Sequence, residues 1–295
     1  MTYYVVYGFL YLLSLLPLRI LYLLSDGIYG LLYYIIGYRR KVVKDNLLLA
    51  FPEKTAAERK KIEKQFYKNF VDNFIETLKL ISGGAKFAAK HFAADGALLQ
   101  EQFDKGARCQ IHLGHNFNWE MGNIAMSAIS SYKMLMVYMP LNNKAFDRIL
   151  LKLRSSSGNK LLPATDMKNA MMPHRNDKYL LGLIADQAPG NVSKAYWIDF
   201  FGRPTPFVRG PESGARAGNL SVLFAQIYKI KRGYYRFEYE LCTETPAELP
   251  EGEITRRYVR YLEKTIRQHP EMWLWSHRRW KIEWKEEYRK QWIGE

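Results

Sequence analysis

The chain has 295 residues, 48% of them hydrophobic, and its 44 lysines and arginines against 29 aspartates and glutamates leave a formal charge of +15. That length allows one large domain or two small ones, either with a substantial core, and the charge asks for an acidic partner: nucleic acid, an anionic bilayer, a phosphorylated lipid or an acidic carrier protein. The basic residues are spread along the chain without a recognised binding motif, which argues against nucleic acid, and Cys109 and Cys242 lie in apolar runs without a CxxC spacing and read as buried thiols suited to a reducing compartment.

The N-terminus carries no charge from Thr2 to Leu18, and after Arg19 the apolar character resumes as ILYLL and again as GIYGLLYYIIGY over 27–38. It lacks the basic start and small-residue cleavage site of a secretory signal. Extended to Leu24, the first stretch reaches the roughly 20 residues that cross a bilayer, with tyrosines suited to the interface and Arg19 placed to snorkel or to face protein. The second stretch is too short to span by itself. The cluster RRKVVK, Arg39 to Lys44, is assigned to the cytoplasm by the positive-inside tendency. A buried pair of core helices is the alternative; the expectation is a membrane anchor over 1–38, followed by a single α/β domain over 39–295.

Residues 39–106 form a helical front end to that domain. Pro52 breaks one helix, and Thr55 with Glu58 makes a capping box for the next. In that second helix Ile62, Phe66, Phe70, Phe74 and Leu78 recur every four residues, which predicts a buried stripe. From about residue 107 short apolar runs alternate with helical periods. ARCQIHL, KMLMVY, KYLLGLIAD and NLSVLFAQIYKI suit strands covered on both faces, and GYYRFEYEL suits a strand nearer an edge. Between them lie helical patterns at 115–130 and in AFDRILLKLR, and EITRRYVRYLEKTIRQH closes the series. The order predicts an α/β fold: a central mixed, largely parallel sheet covered by helices, behind an N-terminal membrane-anchoring helical segment. In the tail, Trp273, Trp275, Trp280, Trp284 and Trp292 stand among Arg278, Arg279, Lys281 and Lys285. That mixture suits a lipid headgroup boundary, or equally aromatics packed on the sheet.

The densest polar cluster is IHLGHNFNWEMGN, 111–123, where a buried strand stops. Gly114 permits a sharp turn, and Asn116 or Asn118 can cap the helix that follows. Inside one regular helix His115 and Glu120 would point about 140° apart. With His115 in the preceding loop, its ring can turn back to Glu120, which would hold one ring nitrogen as a donor and leave the other as a base. Zinc held by His112, His115 and Glu120 is the competing reading, but a strand residue and a loop residue three apart seldom aim together.

IHLGHNFNWE, KLRSSSG, LIADQAP, FFGRPTPFVRGP and PEMWLWSHRRWK follow one another in the order of a known family. The chain resembles the late acyltransferases of lipid A biosynthesis, part of the lysophospholipid acyltransferase superfamily, essentially end to end. The resemblance implies O-acyl transfer of the H-x4-E type, with His115 as general base and Glu120 as its orienting carboxylate. It implies that Arg154 binds phosphate or steadies the oxyanion, that Asp186 and Gln187 form the strand-end DQ, and that Gly202, Thr205 and Arg209 lie near the acyl and acceptor sites. It further implies acyl-acyl carrier protein as donor, a phosphorylated glycolipid as acceptor, an anionic membrane as support, and a catalytic domain on the cytoplasmic face of the inner membrane. No metal or redox cofactor and no nucleic acid is expected. Acylation of another glycolipid, a phospholipid or an aminolipid is the alternative within the enzyme class, and a non-catalytic basic membrane adaptor the alternative outside it.

Overall fold

Proline divides the apolar N-terminus. In the computed structural model, which describes residues 2–294 and leaves Met1 and Glu295 outside, α1 (Thr2–Ser14) ends before Pro17 and α2 (Leu18–Gly30) begins after it. Proline cannot donate the backbone hydrogen bond of a helix interior, and its ring crowds the preceding turn. Helix α2 runs directly into a π turn, Leu31–Ile36, which stops at Gly37 with φ of +66°. The uncharged stretch is therefore not one helix from Thr2 to Leu24. Among the described residues, the segment long and apolar enough to cross a bilayer is Leu18–Ile36. Leu21, Ser25 and Tyr29 on one side of α2 are buried, whereas Leu23, Tyr34, Ile35 and Ile36 stand exposed.

Helix α3 (Arg40–Ala50) stops at the Phe51–Pro52 break, and α4 (Ala56–His91) starts on the predicted capping box, with Thr55 and Glu58 satisfying each other's backbone N–H groups. The predicted stripe on α4 holds only at its start. Ile62 and Phe66 are buried, Phe70 and Leu78 partly so, and Phe74 is exposed. A spacing of four residues advances 400°, so the row drifts by about 40° a step and has turned by about 120° at Phe74. The face that stays inward there carries Asp72, Asn73, Ile75 and Glu76 instead.

The remaining elements alternate: β1 (Phe92–Ala94), α5 (Ala97–Asp104), β2 (Cys109–Leu113), α6 (Trp119–Ile129), β3 (Lys133–Tyr138), α7 (Lys144–Arg154), β4 (Lys160–Pro163), α8 (Met167–Met171), β5 (Tyr179–Ile184), β6 (Ala195–Asp199), β7 (Pro204–Val208), α9 (Gly210–Gly218), β8 (Ser221–Lys231), β9 (Tyr234–Thr243) and α10 (Glu253–Gln268). Seven strands form one sheet in the order β1-β9-β8-β2-β5-β3-β4, parallel throughout except for the β8–β9 hairpin. The fold is α/β, with every side chain of β2 buried, as a strand covered on both faces requires. Strands β1, β4, β6 and β7 escape the sequence reading because they are short, and β4 and β7 contain proline. Strands β6 and β7 pair only with each other, an edge arrangement in which Pro204 and Pro206 are tolerated.

A buried polar cluster ties the front end to the sheet. Glu76, fully buried on α4, accepts 2.6 and 2.7 Å hydrogen bonds from the Tyr22 and Tyr235 hydroxyls and a further bond from the Asn118 amide. Beside it, Arg232 at the β8–β9 turn binds both Asp72 and Asp26. Burial pushes the Glu76 carboxyl up to about 7 against the pull of the tyrosine hydroxyls. An acid with a raised folded pKa binds its proton more tightly in the folded state, so stability falls as pH rises from its ordinary value through 7. Over that window the Glu76 contribution amounts to about 3 kcal/mol. Melting of wild-type and Glu76→Gln proteins between pH 5 and 8 should diverge by that order, with the variant the flatter of the two. Parallel curves would refute the assignment.

Candidate active site

The register of two neighbouring parallel strands assembles the site. Leu113 of β2 lies opposite Ile184 of β5, and each chain continues two residues further, to His115 and to Asp186. The Ala185 N–H still donates to the Leu113 carbonyl at 3.2 Å, which keeps the two extensions side by side. Asp186 accepts from the His115 Nδ1 through Oδ1, and its Oδ2 takes the His115 backbone N–H at 2.8 Å and the Trp273 indole N–H at 2.6 Å. Gly114 is required by close approach: a Cβ there would meet Asp186 Oδ2 at 3.3 Å, Asn116 Oδ1 at 3.0 Å and Leu262 Cδ1 at 2.6 Å.

The carboxylate on His115 is thus Asp186, and the expectation that Glu120 fills that place is corrected. Glu120, in the first turn of α6, is engaged by Arg154 at the end of α7, whose Nε lies 2.8 Å from Oε2 and whose Nη2 lies 2.5 Å from Oε1. The Trp119 indole adds a 3.1 Å bond to the same carboxylate. Asn118, at the N-cap position of α6, does not cap it; its amide reaches Glu76.

Burial alone would raise the Asp186 carboxyl, but the His115 charge and three hydrogen bonds, two from His115 and one from Trp273, hold the group below its ordinary value. An ionised carboxylate accepts only, so Nδ1 of His115 carries the proton and Nε2 presents a lone pair. Gln187 places its Nε2 3.1 Å from that lone pair. Arg154 loses solvation by burial, yet the Glu120 hydrogen bonds raise its guanidinium and keep it cationic. Its Nη1 has no partner among the described residues, which leaves donors for a bound group.

His115, Glu120, Arg154 and Gln187 all line one cavity of about 990 Å³. Its remaining walls are largely apolar, with Met134, Met136, Met167, Met171, Leu181 and Leu183 running inward between the sheet and α8. A basic nitrogen, a cation and a largely apolar wall therefore face one space. His112 stays out of it: buried in β2, its Nε2 lies 3.0 Å from Gln110 Oε1, and its ring meets Phe224 and Tyr258. Among the described residues no three His, Cys, Asp or Glu side chains converge as metal ligands, so the zinc reading has no donor set.

Residues 1–282 match the family model of the bacterial lipid A biosynthesis acyltransferases. The chain belongs to that family. No curated protein matches it significantly. Every element of the site, from Glu76 to His277, lies inside the matched span of this lipid A biosynthesis acyltransferase.

Three residues expected near the substrate lie elsewhere in the acyltransferase. Gly202 sits at the β6–β7 turn with φ of +68°, and the turn is fixed by Phe201 N–H donating to Glu263 at 2.7 Å. Thr205 is fully buried opposite Ile198 in that hairpin, its hydroxyl donating to Arg203 O at 2.8 Å. Arg209 lies over the Tyr196 ring and donates to Ala195 O at 3.2 Å. None of the three lines the cavity, although Val208 and Gly210 on either side of Arg209 do. Alternation along β7 and the turn after it sends Arg209 outward.

The sequence reading gave no residue of PEMWLWSHRRWK a role in the site, yet that segment straps it. Trp273 binds Asp186, Met272 O accepts from Phe117 N–H at 2.9 Å, and His277 Nε2 accepts from Ala188 N–H at 3.3 Å. Burial and then Arg279 lower His277 to about 4, so its ring stays neutral and able to accept. Trp273 and Trp275 are buried, which decides for packing over a headgroup boundary at those two positions. Trp284 packs its edge on Trp197 of β6, so it too meets the fold.

Proposed function

We propose that the chain transfers a fatty acyl group from acyl-acyl carrier protein to the hydroxyl of an existing 3-hydroxyacyl chain on a lipid A precursor, at the cytoplasmic face of the inner membrane. The observation that carries this reading is the His115–Asp186 pair, which lines a largely apolar cavity with its Nε2 lone pair met by the Gln187 amide alone among the described residues. In this mechanism the acceptor hydroxyl displaces the Gln187 amide and gives its proton to Nε2 as its oxygen attacks the thioester carbonyl. Asp186 stabilises the imidazolium that forms. Arg154, held in place by Glu120, donates from Nη1 to the developing oxyanion, an interaction whose loss typically costs about 3 kcal/mol. The C–S bond then breaks, and the imidazolium returns the proton to the departing thiolate. The cavity takes the acyl chain, the Leu18–Ile36 helix supports membrane residence, and the +15 charge suits both an acidic carrier and a phosphorylated glycolipid.

The full chain, purified in detergent, is to be offered acyl-carrier protein or acyl-coenzyme A thioesters together with a lipid A precursor, a phospholipid or an aminolipid, and the products weighed by mass spectrometry. The expected product is the lipid A precursor heavier by one acyl group. Acylation confined to the phospholipid or aminolipid would sink the acceptor assignment, and no acyl product with any pair would leave the adaptor reading standing.

The cavity also predicts a chain-length effect. A side chain at Gly182 would press on the Met136 thioether, 2.6 Å from its Cβ position, and both residues line the cavity. Gly182→Val is expected to shift preference toward shorter donors, with each methylene excluded from apolar contact worth about 0.8 kcal/mol in the competition. Competition between donors of different length measures it, and an unchanged product distribution would count against this path for the chain.

A further inference from the structure

A second recess lies along the face of α7 that carries Arg148, Leu151 and Lys152. It measures about 560 Å³ and is lined by Arg148, Lys152 and Lys160, by Tyr3 of α1, and by the Ser155–Gly158–Asn159 loop. The Arg148 guanidinium lies 4.1 Å from the centre of the Tyr3 ring, and the Lys152 ammonium 4.2 Å from that of Tyr7. Tyr3, Tyr7 and Tyr11 stack in a row along α1, so the cations are held by aromatic faces. Among the described residues no carboxylate pairs with Arg148, Lys152 or Lys160, whereas Arg154 in the neighbouring cavity is paired with Glu120. Three cations converging on one recess repel each other, and the arrangement is stabilised when an anion enters.

The recess is built onto the catalytic cavity. Asn159 is buried and donates to the Asn123 backbone carbonyl at 2.7 Å and to its side-chain oxygen at 2.9 Å, and Asn123 in turn donates to Arg154 O at 3.2 Å. Leu161 lines both spaces. Gly158, at φ of +88° with open space where a Cβ would be, keeps the floor clear. On its outer side α1 exposes Val5, Phe9 and Leu12, an apolar face that would set the recess at the level of lipid headgroups.

We propose that this recess binds a phosphate group, presented by the headgroup of the acceptor lipid while its hydroxyl-bearing chain lies in the cavity beside His115. Arg148 supplies planar paired donors to the phosphate oxygens and Lys152 and Lys160 supply charge. The identity of the presenting lipid rests on the lipid A reading; the phosphate site does not.

The test has two arms. In the first, the detergent-purified full chain is titrated with dihexanoyl phosphatidate, and with dihexanoyl phosphatidylglycerol, which carries a single phosphodiester charge. The expected result is selective binding of the phosphatidate, displaced by inorganic phosphate and weakened about tenfold in Arg148→Gln/Lys152→Gln. The Lys60→Gln/Lys61→Gln protein, which loses the same charge from the exposed surface of α4, should bind as wild type does. Equal binding of the two lipids, or equal weakening in both double variants, would mean a general anionic surface and would overturn the site, as would unchanged binding in Arg148→Gln/Lys152→Gln. In the second arm, wild type and Arg148→Gln/Lys152→Gln are compared on a lipid A precursor with and without its phosphates. The site predicts a KM raised about tenfold for the phosphorylated form only, while a raised KM for the carrier-protein donor would assign the cations to the carrier and overturn it. If wild type acylates no lipid A precursor, the acceptor reading fails while the phosphatidate result still decides the site.

Discussion

Asp186→Asn is expected to lower kcat by about 10³–10⁴-fold, and His115→Ala by at least as much, with the double variant scarcely worse than His115→Ala alone. An amide at position 186 keeps the shape of the carboxylate but can donate to Nδ1. It would do so because the Trp273 N–H and the His115 backbone N–H still require its oxygen. The ring would then carry its proton on Nε2 and present no lone pair to a hydroxyl, and the imidazolium would lose its counter-charge; the corresponding change in a hydrolase triad costs about 10⁴. Groups that act as a unit are far from additive, which is why the double variant is informative. Single-turnover acyl transfer on folded, membrane-extracted protein measures all three. Substantial activity in Asp186→Asn together with complete loss in Glu120→Gln would restore Glu120 as the partner of His115 and refute the geometry described above.

The second large effect is expected at the Glu120–Arg154 pair, and there it should divide between activity and stability. Arg154→Ala removes a cation from the cavity wall and should lower kcat by about 10²–10³-fold if the guanidinium faces the oxyanion. It also leaves the nearly buried Glu120 carboxylate without its bidentate partner, a loss that costs about 3–5 kcal/mol for a buried pair. Glu120→Gln retains one acceptor for the guanidinium and should cost less in both respects. Denaturant melts and kcat measured on the same preparations separate the two contributions. Arg154→Ala that melts early but turns over normally would confine the arginine to a structural role.

Of the residues expected at the site, His115, Glu120, Arg154, Asp186 and Gln187 lie at or beside one cavity, but the pairing among them differs from the expected one. His115 and Glu120 are five residues apart, and local geometry made that pairing conceivable. Asp186 is 71 residues away, and only the parallel register of β2 on β5 puts it beside His115. A register is a property of two strands, so the run LIADQ could announce a strand end but not which strand would lie next to it. The same limit explains Gly202, Thr205 and Arg209: the turn chemistry of FFGRPTPF was legible, whereas the direction in which the β6–β7 hairpin faces depends on Glu263 and on α10. Trp273 and His277 stood in a quoted segment without assigned roles, because nothing local to a tail rich in tryptophan says that one indole will bind a buried carboxylate.

By itself the sequence determined the alternation of strand and helix, the Thr55–Glu58 cap, the break at Pro52 and the family to which the chain belongs. These depend on periods of two and 3.6 residues, on prolines and caps, and on the order of motifs, all of which are carried by neighbouring residues. The tertiary structure decided where the apolar N-terminus breaks into helices, which face of α4 turns inward beyond Phe66, and which carboxylate meets His115. Each of these turns on contacts between residues distant in the chain or on phase accumulated over many turns. A small error in phase or register redirects a side chain completely, and only the packed molecule fixes both.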